Sequence, residues 1–118
     1  MNWGALIAET IASLPSSIRA RLGHVQIRVA EKPTPLQKEQ MGECDDCGLL
    51  GLYEGVPLPD RWEGDEPMMP DRITLFTRAH LEEFQDPREL REGFRDVLVH
   101  ELGHFLGLDD EELEELGL

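Results

Sequence analysis

Near its C-terminus the chain reads His100-Glu101-Leu102-Gly103-His104-Phe105-Leu106-Gly107-Leu108-Asp109-Asp110. Residues four apart on an α-helix project from the same face, so His100 and His104 can bind one ion, at about 2.0 to 2.1 Å if it is zinc. Glu101, beside the first histidine, can take a proton from a water molecule whose pKa the zinc lowers to roughly 7. The pattern H-E-x-x-H-x-x-G-x-x-D therefore predicts metal-assisted hydrolysis.

A second interpretation of this stretch needs no metal, because H-E-x-x-H also occurs in helices whose histidines only satisfy local hydrogen bonds. The apolar run 97–99 just before it predicts a largely buried helix, where an ion would give both histidines a partner. Gly107 is expected to end the helix with a positive φ, which turns Asp110 back toward the ion. Asp109 and Asp110 also suit the N-terminus of a closing helix, and capping and ligation can be divided between them. The acidic run 109–115 is interpreted as a solvated face, since it lacks the turn glycine of a calcium loop.

The motif and two segments upstream of it resemble the minimal zincins, which are small, single-domain zincin-like metallopeptidases. The segments are 49–58 and 70–76, so the resemblance covers most of the chain. It implies that His100, His104 and Asp110 bind one Zn²⁺ per chain and that Glu101 is the general base. Histidine and carboxylate ligands also suit iron, nickel and cobalt, so other divalent metals stay open.

The related metzincins have a histidine where this chain has Asp110, and they carry a Met-turn downstream. None of the residues after Asp110 is methionine. The sequence thus departs from the metzincin pattern.

Composition limits the classes of protein to which the chain can belong. With 118 residues, 40% of them hydrophobic, we expect one compact domain with a modest core. The resemblance implies that this is a single zincin-like metallopeptidase domain over residues 1–118. The formal net charge of −14 repels phosphate backbones, so nucleic acid is not an expected partner. No apolar run approaches the roughly 20 residues that span a bilayer, and no signal-peptide pattern is visible, so we expect a cytoplasmic protein without a membrane partner.

Hydrophobic spacing predicts an α+β fold, and the resemblance implies that it is a small zincin-like domain. It has a sheet of about three strands packed on an N-terminal helix and a metal-binding helix, with a short C-terminal helix. The predicted helices are 3–14, closed by Pro15, a short turn in 16–22, 87–106 behind an Asp86 cap, and 110–116. The predicted strands are 24–30, 49–53 and 72–77, and residues 31–48 are expected to form a long loop.

Cys44 and Cys47 form a C-x-x-C within that expected loop. Three interpretations stay open: a redox pair, half of a second metal site completed by His24, His80 or another copy of the chain, and a local disulfide or thiol pair without chemistry of its own. No helix pattern follows the pair, which disfavours the redox interpretation. The third interpretation is favoured.

Three side chains are candidates for stabilising the oxyanion of a reacting carbonyl: Tyr53, Arg72 and His80. Of these we favour Tyr53, the single tyrosine. The resemblance further implies that a peptide substrate lies extended along a sheet edge above the metal helix, and strand 72–77 is expected to be that edge.

Two functions follow. The first is a zinc-dependent hydrolase, in particular a metallopeptidase that cleaves peptide or protein substrates with Glu101 as general base. The alternative is a non-catalytic metal-binding domain that acts as an interaction or regulatory protein. The sequence does not predict the oligomeric state.

Overall fold

The computed structural model describes residues 2–23, 25–41, 49–55 and 71–118, with the side chains of 40 and 41 excepted. Its elements in chain order are α1 (Trp3–Ser13), α2 (Ser16–Arg19), β1 (Val25–Ala30), α3 (Pro35–Met41), β2 (Gly51–Glu54), β3 (Asp71–Phe76), α4 (Thr77–Glu83), α5 (Pro87–Leu106) and α6 (Asp110–Glu115). The α+β class predicted from the sequence is confirmed.

Helices α1 and α5 begin where their capping residues predict. The Asn2 side chain accepts a hydrogen bond from the backbone N–H of Ala5 at 3.0 Å, and the Asp86 side chain accepts one from Arg88 at 2.8 Å. Pro87 follows Asp86 as the first residue of α5, where its missing N–H costs nothing. Both predicted starts are thus confirmed, and α5 has the predicted bounds.

The three described strands form one mixed sheet in the order β1-β3-β2. Strand β1 runs parallel to β3, and β2 runs antiparallel to β3 on its other side. The prediction that residues 72–77 form a sheet edge is therefore wrong, because β3 is the central strand. Every residue of β3 except Arg72 is buried, as expected for a strand covered on both faces, whereas the outer strand β1 alternates between half-buried and exposed positions.

Helix α3 lies in a segment that was expected to form a loop, and α4 begins at a residue that was expected to end a strand. Within the predicted loop 31–48, α3 begins with a capping box: Gln37 N–H donates to Thr34 Oγ1 at 3.1 Å, and Thr34 N–H donates to Gln37 Oε1 at 2.9 Å. The T-P-L-Q sequence is a capping-box signal, and here it outweighs the nearby prolines and glycine that favour a loop. Thr77, predicted as strand, instead begins α4 directly after β3.

Helix α5 packs against β2, β3 and α1 and forms the middle of the molecule. The core between them is aliphatic and aromatic: Leu6, Leu14, Ile18, Ile73, Leu75, Phe94, Leu98, Val99, Leu102, Phe105, Leu106 and Leu113. This packing fixes α5 along most of its 20 residues, so side chains on its remaining face hold defined positions. Among the described helices, none is long and apolar enough to cross a membrane.

Candidate metal centre

Two histidines lie on successive turns of α5, on the helix face that points away from the core. The ring centroids of His100 and His104 are 4.5 Å apart, and their side chains are 48% and 51% exposed. With Glu101 they form a group in which one ring nitrogen of each histidine and one carboxylate oxygen lie within 4.8 Å of one another. A four-residue helical spacing produces this arrangement without any contribution from a loop.

Glu101 differs from both histidines in being almost buried, with its side chain 10% exposed. Its Oε2 lies 3.2 Å from Nδ1 of His104. Above it passes β2 at Gly51, where an added Cβ would lie 2.8 Å from Val97 Cγ1 and 3.4 Å from Glu101 Cγ. The absent side chain of Gly51 therefore lets the strand approach the helix directly over this carboxylate, a contact that the sequence alone did not indicate.

A tight turn after α5 brings the last helix back toward the histidines. Gly107 adopts the left-handed conformation at φ 76°, and Leu108 N–H donates to Gly103 O at 2.8 Å, as in a Schellman motif. A Cβ on Gly103 would lie 2.8 Å from Leu113 Cδ1, so the small residue allows α6 to pack closely on α5. The predicted function of Gly107 as a helix stop is confirmed.

The two aspartates at this turn divide their tasks. Asp109 caps α6, with its Oδ1 accepting from Glu112 N–H at 2.8 Å, while Asp110 Oδ1 lies 3.1 Å from His100 Nδ1. Asp110 is 82% exposed and lies outside the group of three formed by the histidines and Glu101. At 3.1 Å it is placed either to accept a hydrogen bond from His100 or to share an ion with it.

The donor set fits zinc. Ligands that hold zinc tetrahedrally at about 2.0 to 2.1 Å are about 3.3 Å from one another. Asp110 Oδ1 and His100 Nδ1 are close to this spacing at 3.1 Å, but Asp110 does not belong to the group whose atoms lie within 4.8 Å of one another, so the fit rests on the types of ligand. Two imidazoles and a carboxylate are the ligand types of catalytic zinc sites. Both histidine side chains are about half exposed, so among the described residues nothing closes the solvent side of the candidate metal site.

Tyr53 of β2 lies on the sheet face that packs against α5. Its ring meets Phe105 edge-on, with centroids 5.8 Å apart, and its hydroxyl donates to Oδ1 of the buried Asp71 at 2.8 Å. An oxyanion role would require the single phenolic proton to turn from Asp71 to the substrate. Tyr53 stays a candidate on the correct side of the sheet.

Arg72 lies on the opposite face of the sheet from α5. Gly51 faces α5 and pairs with Leu75, and because side chains alternate along a strand, Ile73 and Asp71 share the face of Leu75 while Arg72 does not. The candidate role of Arg72 at the oxyanion is therefore wrong.

His80 of α4 is fully buried, so its ring cannot reach a substrate carbonyl and its candidate role as oxyanion stabiliser is wrong. Its ring packs against Phe94 and Trp3, at centroid distances of 5.3 and 6.5 Å. Nε2 lies 3.1 Å from the carbonyl oxygen of Leu50, to which it donates. Its Nδ1 is buried without a hydrogen-bond partner among the described residues, which suits a neutral ring.

We expect the neutral state of His80 to make stability depend on pH. Burial lowers its pKa below 6.5, and the hydrogen bond to Leu50, which raises the pKa, offsets only part of this. Below pH 6.5 the unfolded chain therefore binds more protons at His80 than the native state does. The free energy of unfolding is unaffected by His80 above pH 6.5 and decreases as the pH falls from 6.5 toward the native pKa. The slope reaches up to about 1.4 kcal/mol per pH unit.

Urea unfolding of the metal-free protein from about pH 7.5 to about pH 5.5 measures this effect. In His80→Phe the ring packing is kept, and the Leu50 carbonyl still accepts from Phe76 N–H at 3.0 Å. The variant should lose stability less steeply with acid than the wild type. Equal slopes would show that other groups cause the acid sensitivity.

Cys44, Cys47 and His24 lie outside the described residues. The three interpretations of the cysteine pair stay predictions.

Comparison with known proteins places this geometry in context. A family model described as zincin-like metallopeptidase matches residues 22–118, which include all of β1 to α6 and the whole candidate centre. A curated relative, the nonribosomal peptide synthetase otaB of Aspergillus carbonarius (strain ITEM 5010), is 28% identical over 140 aligned residues that take in the whole chain. The chain spans 7% of the length of that relative.

Proposed function

The chain belongs to the zincin-like metallopeptidase family, and from this membership and the geometry of α5 we propose that it is a zinc-dependent peptidase. One observation carries the proposal: an almost buried carboxylate, Glu101, lies within 4.8 Å of two half-exposed histidines on one helix face. A structural zinc site is closed by protein ligands, whereas a catalytic site leaves a position for water or substrate. The exposure of His100 and His104 supports the catalytic type.

We assign the zinc ligands to His100, His104 and Asp110. Bound there, zinc lowers the pKa of water to roughly 7 and polarises a substrate carbonyl. Asp110 is included as a ligand because its Oδ1 lies beside Nδ1 of His100. The turn at Gly107 and the cap at Asp109 determine this position of Asp110.

Glu101 is the general base of the proposed reaction. Its carboxylate accepts one proton from the attacking water and gives it to the amide nitrogen as the C–N bond breaks, so that one water is consumed for each peptide bond cleaved. Packing beneath Gly51 limits the rotamers of Glu101 and holds the carboxylate beside His104.

The substrate strand is assigned to β2 instead of β3. Strand β2 is an outer strand of the described sheet and passes over Val97 and Glu101. An extended peptide that adds to such an edge is held by its backbone and reaches the helix face with alternate side chains. A peptide or protein substrate is thus expected to lie along β2 with its scissile bond above Glu101.

Removal of metal tests the proposal. We expect a chelator to lower peptide hydrolysis by at least about 100-fold and stoichiometric zinc to restore it, because water activation depends on the ion. The assay follows product formation from a peptide library by mass spectrometry. Hydrolysis that resists the chelator would contradict the proposal; a drop in melting temperature without any hydrolysis to lose would favour the non-catalytic metal-binding domain.

A further inference from the structure

His80 of α4 is a polar side chain in surroundings that are mostly apolar. The ring is fully buried, and its Nδ1 has no hydrogen-bond partner among the described residues. Three aromatic rings, which we call the aromatic cluster, pack against it at centroid distances of 5.3, 6.0 and 6.5 Å: Phe94, Phe84 and Trp3. A buried nitrogen without a hydrogen bond destabilises a fold, and a phenylalanine would fill the same space without that cost. The imidazole is therefore expected to serve a purpose other than packing.

The hydrogen bond of His80 leads to the strand that passes over the candidate centre. Nε2 donates to the carbonyl oxygen of Leu50 at 3.1 Å, and Leu50 directly precedes Gly51, the first residue of β2. The same carbonyl accepts a second hydrogen bond at 3.0 Å, from the N–H of Phe76 at the end of β3. The start of β2 is thus bound both to the sheet and to α4, a helix that packs against α5.

One residue further along, β2 contacts the proposed general base. A Cβ on Gly51 would lie 2.8 Å from Val97 Cγ1 and 3.4 Å from Glu101 Cγ. Because the backbone of β2 comes this close, a small displacement of the strand changes the space in which the almost buried Glu101 carboxylate is held. Catalysis is sensitive to such changes, since a misplacement of about 1 Å can lower a rate about 100-fold.

We propose that His80 is a positioning residue for Glu101: its hydrogen bond to Leu50 fixes the height of β2 above α5, and this height sets the position of the carboxylate. The inference rests on the proposed peptidase function, in which Glu101 is the general base. His80 is fully buried and lies outside the group of histidines and Glu101 that can hold the metal, so its effect is transmitted through β2. The outer backbone groups of β2, to which a peptide would add, are unchanged, so kcat should depend on His80 and KM should not.

Three variants separate the hydrogen bond from the packing. His80→Phe keeps an aromatic ring against the aromatic cluster but has no donor for the Leu50 carbonyl. His80→Gln places a side-chain N–H at nearly the reach of Nε2 and should restore the bond. Phe84→Leu is the control, because it loosens the packing around His80 and leaves the donor in place.

The kinetic test uses zinc-loaded protein, with urea unfolding to show that each variant is folded in the assay. We expect His80→Phe to lower kcat by about 10- to 100-fold, with KM and zinc content within about twofold of wild type. His80→Gln should recover most of kcat, and Phe84→Leu should keep wild-type kcat although its melting temperature falls. Wild-type kcat in His80→Phe, or an equal loss of kcat in Phe84→Leu, would overturn the proposal.

A second measurement follows the carboxylate without any hydrolysis. The carboxyl carbon-13 signal of Glu101, identified by its absence in Glu101→Gln, is recorded at one pH for each variant. It should move in His80→Phe and keep its wild-type position in His80→Gln and Phe84→Leu. A His80→Gln protein with the wild-type signal but the kcat of His80→Phe would contradict the proposed role.

The two measurements together distinguish this proposal from the one on which it rests. If the wild type hydrolyses peptides and the Glu101 signal does not move in His80→Phe, the peptidase function stands and the positioning role of His80 is overturned. If the signal moves only in His80→Phe and the wild type hydrolyses nothing, the positioning role stands and the peptidase function is overturned.

Discussion

Glu101→Gln lowers the rate of peptide hydrolysis by at least about 10²-fold, and up to about 10⁴-fold, while zinc content stays at the wild-type value. The amide has the size of the carboxylate but cannot take a proton from water. Zinc binding persists because the assigned ligands are His100, His104 and Asp110. The expected change is therefore confined to kcat, with little effect on KM.

The control for this variant is Glu114→Gln, which removes one carboxylate from an exposed position on α6. It should keep wild-type activity, zinc content and melting temperature. Glu101 is 10% exposed, so its replacement also tests packing, and a thermal melt of both variants separates the two effects. Activity in Glu101→Gln within twofold of wild type would remove Glu101 from the mechanism; a large loss of stability with no activity in either protein would support a metal-stabilised binding domain.

The helix that carries the site was predictable from sequence because its signals are local. Asp86 and Pro87 start the helix, an amphipathic pattern continues it, and Gly107 ends it. Because the helix is regular, the four-residue spacing of His100 and His104 places both side chains on one face. The division of labour between the two aspartates after Gly107 follows from the same local rules.

The sheet order was not predictable, because strand pairing depends on contacts between residues far apart in the chain. Nothing near residues 71–76 shows that β1 and β2 flank this strand, so the sheet edge predicted at 72–77 was wrong. The proposal that a substrate lies along β2, and the contact of Gly51 with Val97 and Glu101, both depend on this order.

The cavity beside Phe84 and Gly93 illustrates a related limit. Alternating Arg and Glu residues in 88–96 are typical of a solvated helix surface, and no local pattern indicates that a cavity lies beside them. The cavity arises because α4 ends beside α5 and Phe84 packs on Gly93, a tertiary contact nine residues apart across a turn. Charged side chains on a helix indicate a binding site only when a tertiary contact of this kind forms a cavity beside them.

Replacing both histidines, His100→Ala with His104→Ala, should reduce bound zinc from about one per chain to under about a tenth, because Asp110 alone cannot retain the ion against its hydration. Hydrolysis should disappear with the metal and should not return when zinc is added. Both side chains are about half exposed, so their removal creates no core cavity, and the fold of the metal-free variant should match that of metal-free wild type. Elemental analysis of protein purified without chelator, with circular dichroism beside it, measures both outcomes.

The informative control is Cys44→Ser with Cys47→Ser, since the cysteine pair is the other place in this sequence with metal-binding chemistry. If α5 holds the ion, this variant keeps its zinc and its activity. The reverse result, with zinc retained after loss of both histidines and lost after loss of both cysteines, would move the metal to the cysteine pair and leave α5 without a catalytic centre. Loss of part of the zinc in each variant would mean two sites, and only the share that follows His100 and His104 could then support hydrolysis, because Glu101 lies beside those histidines.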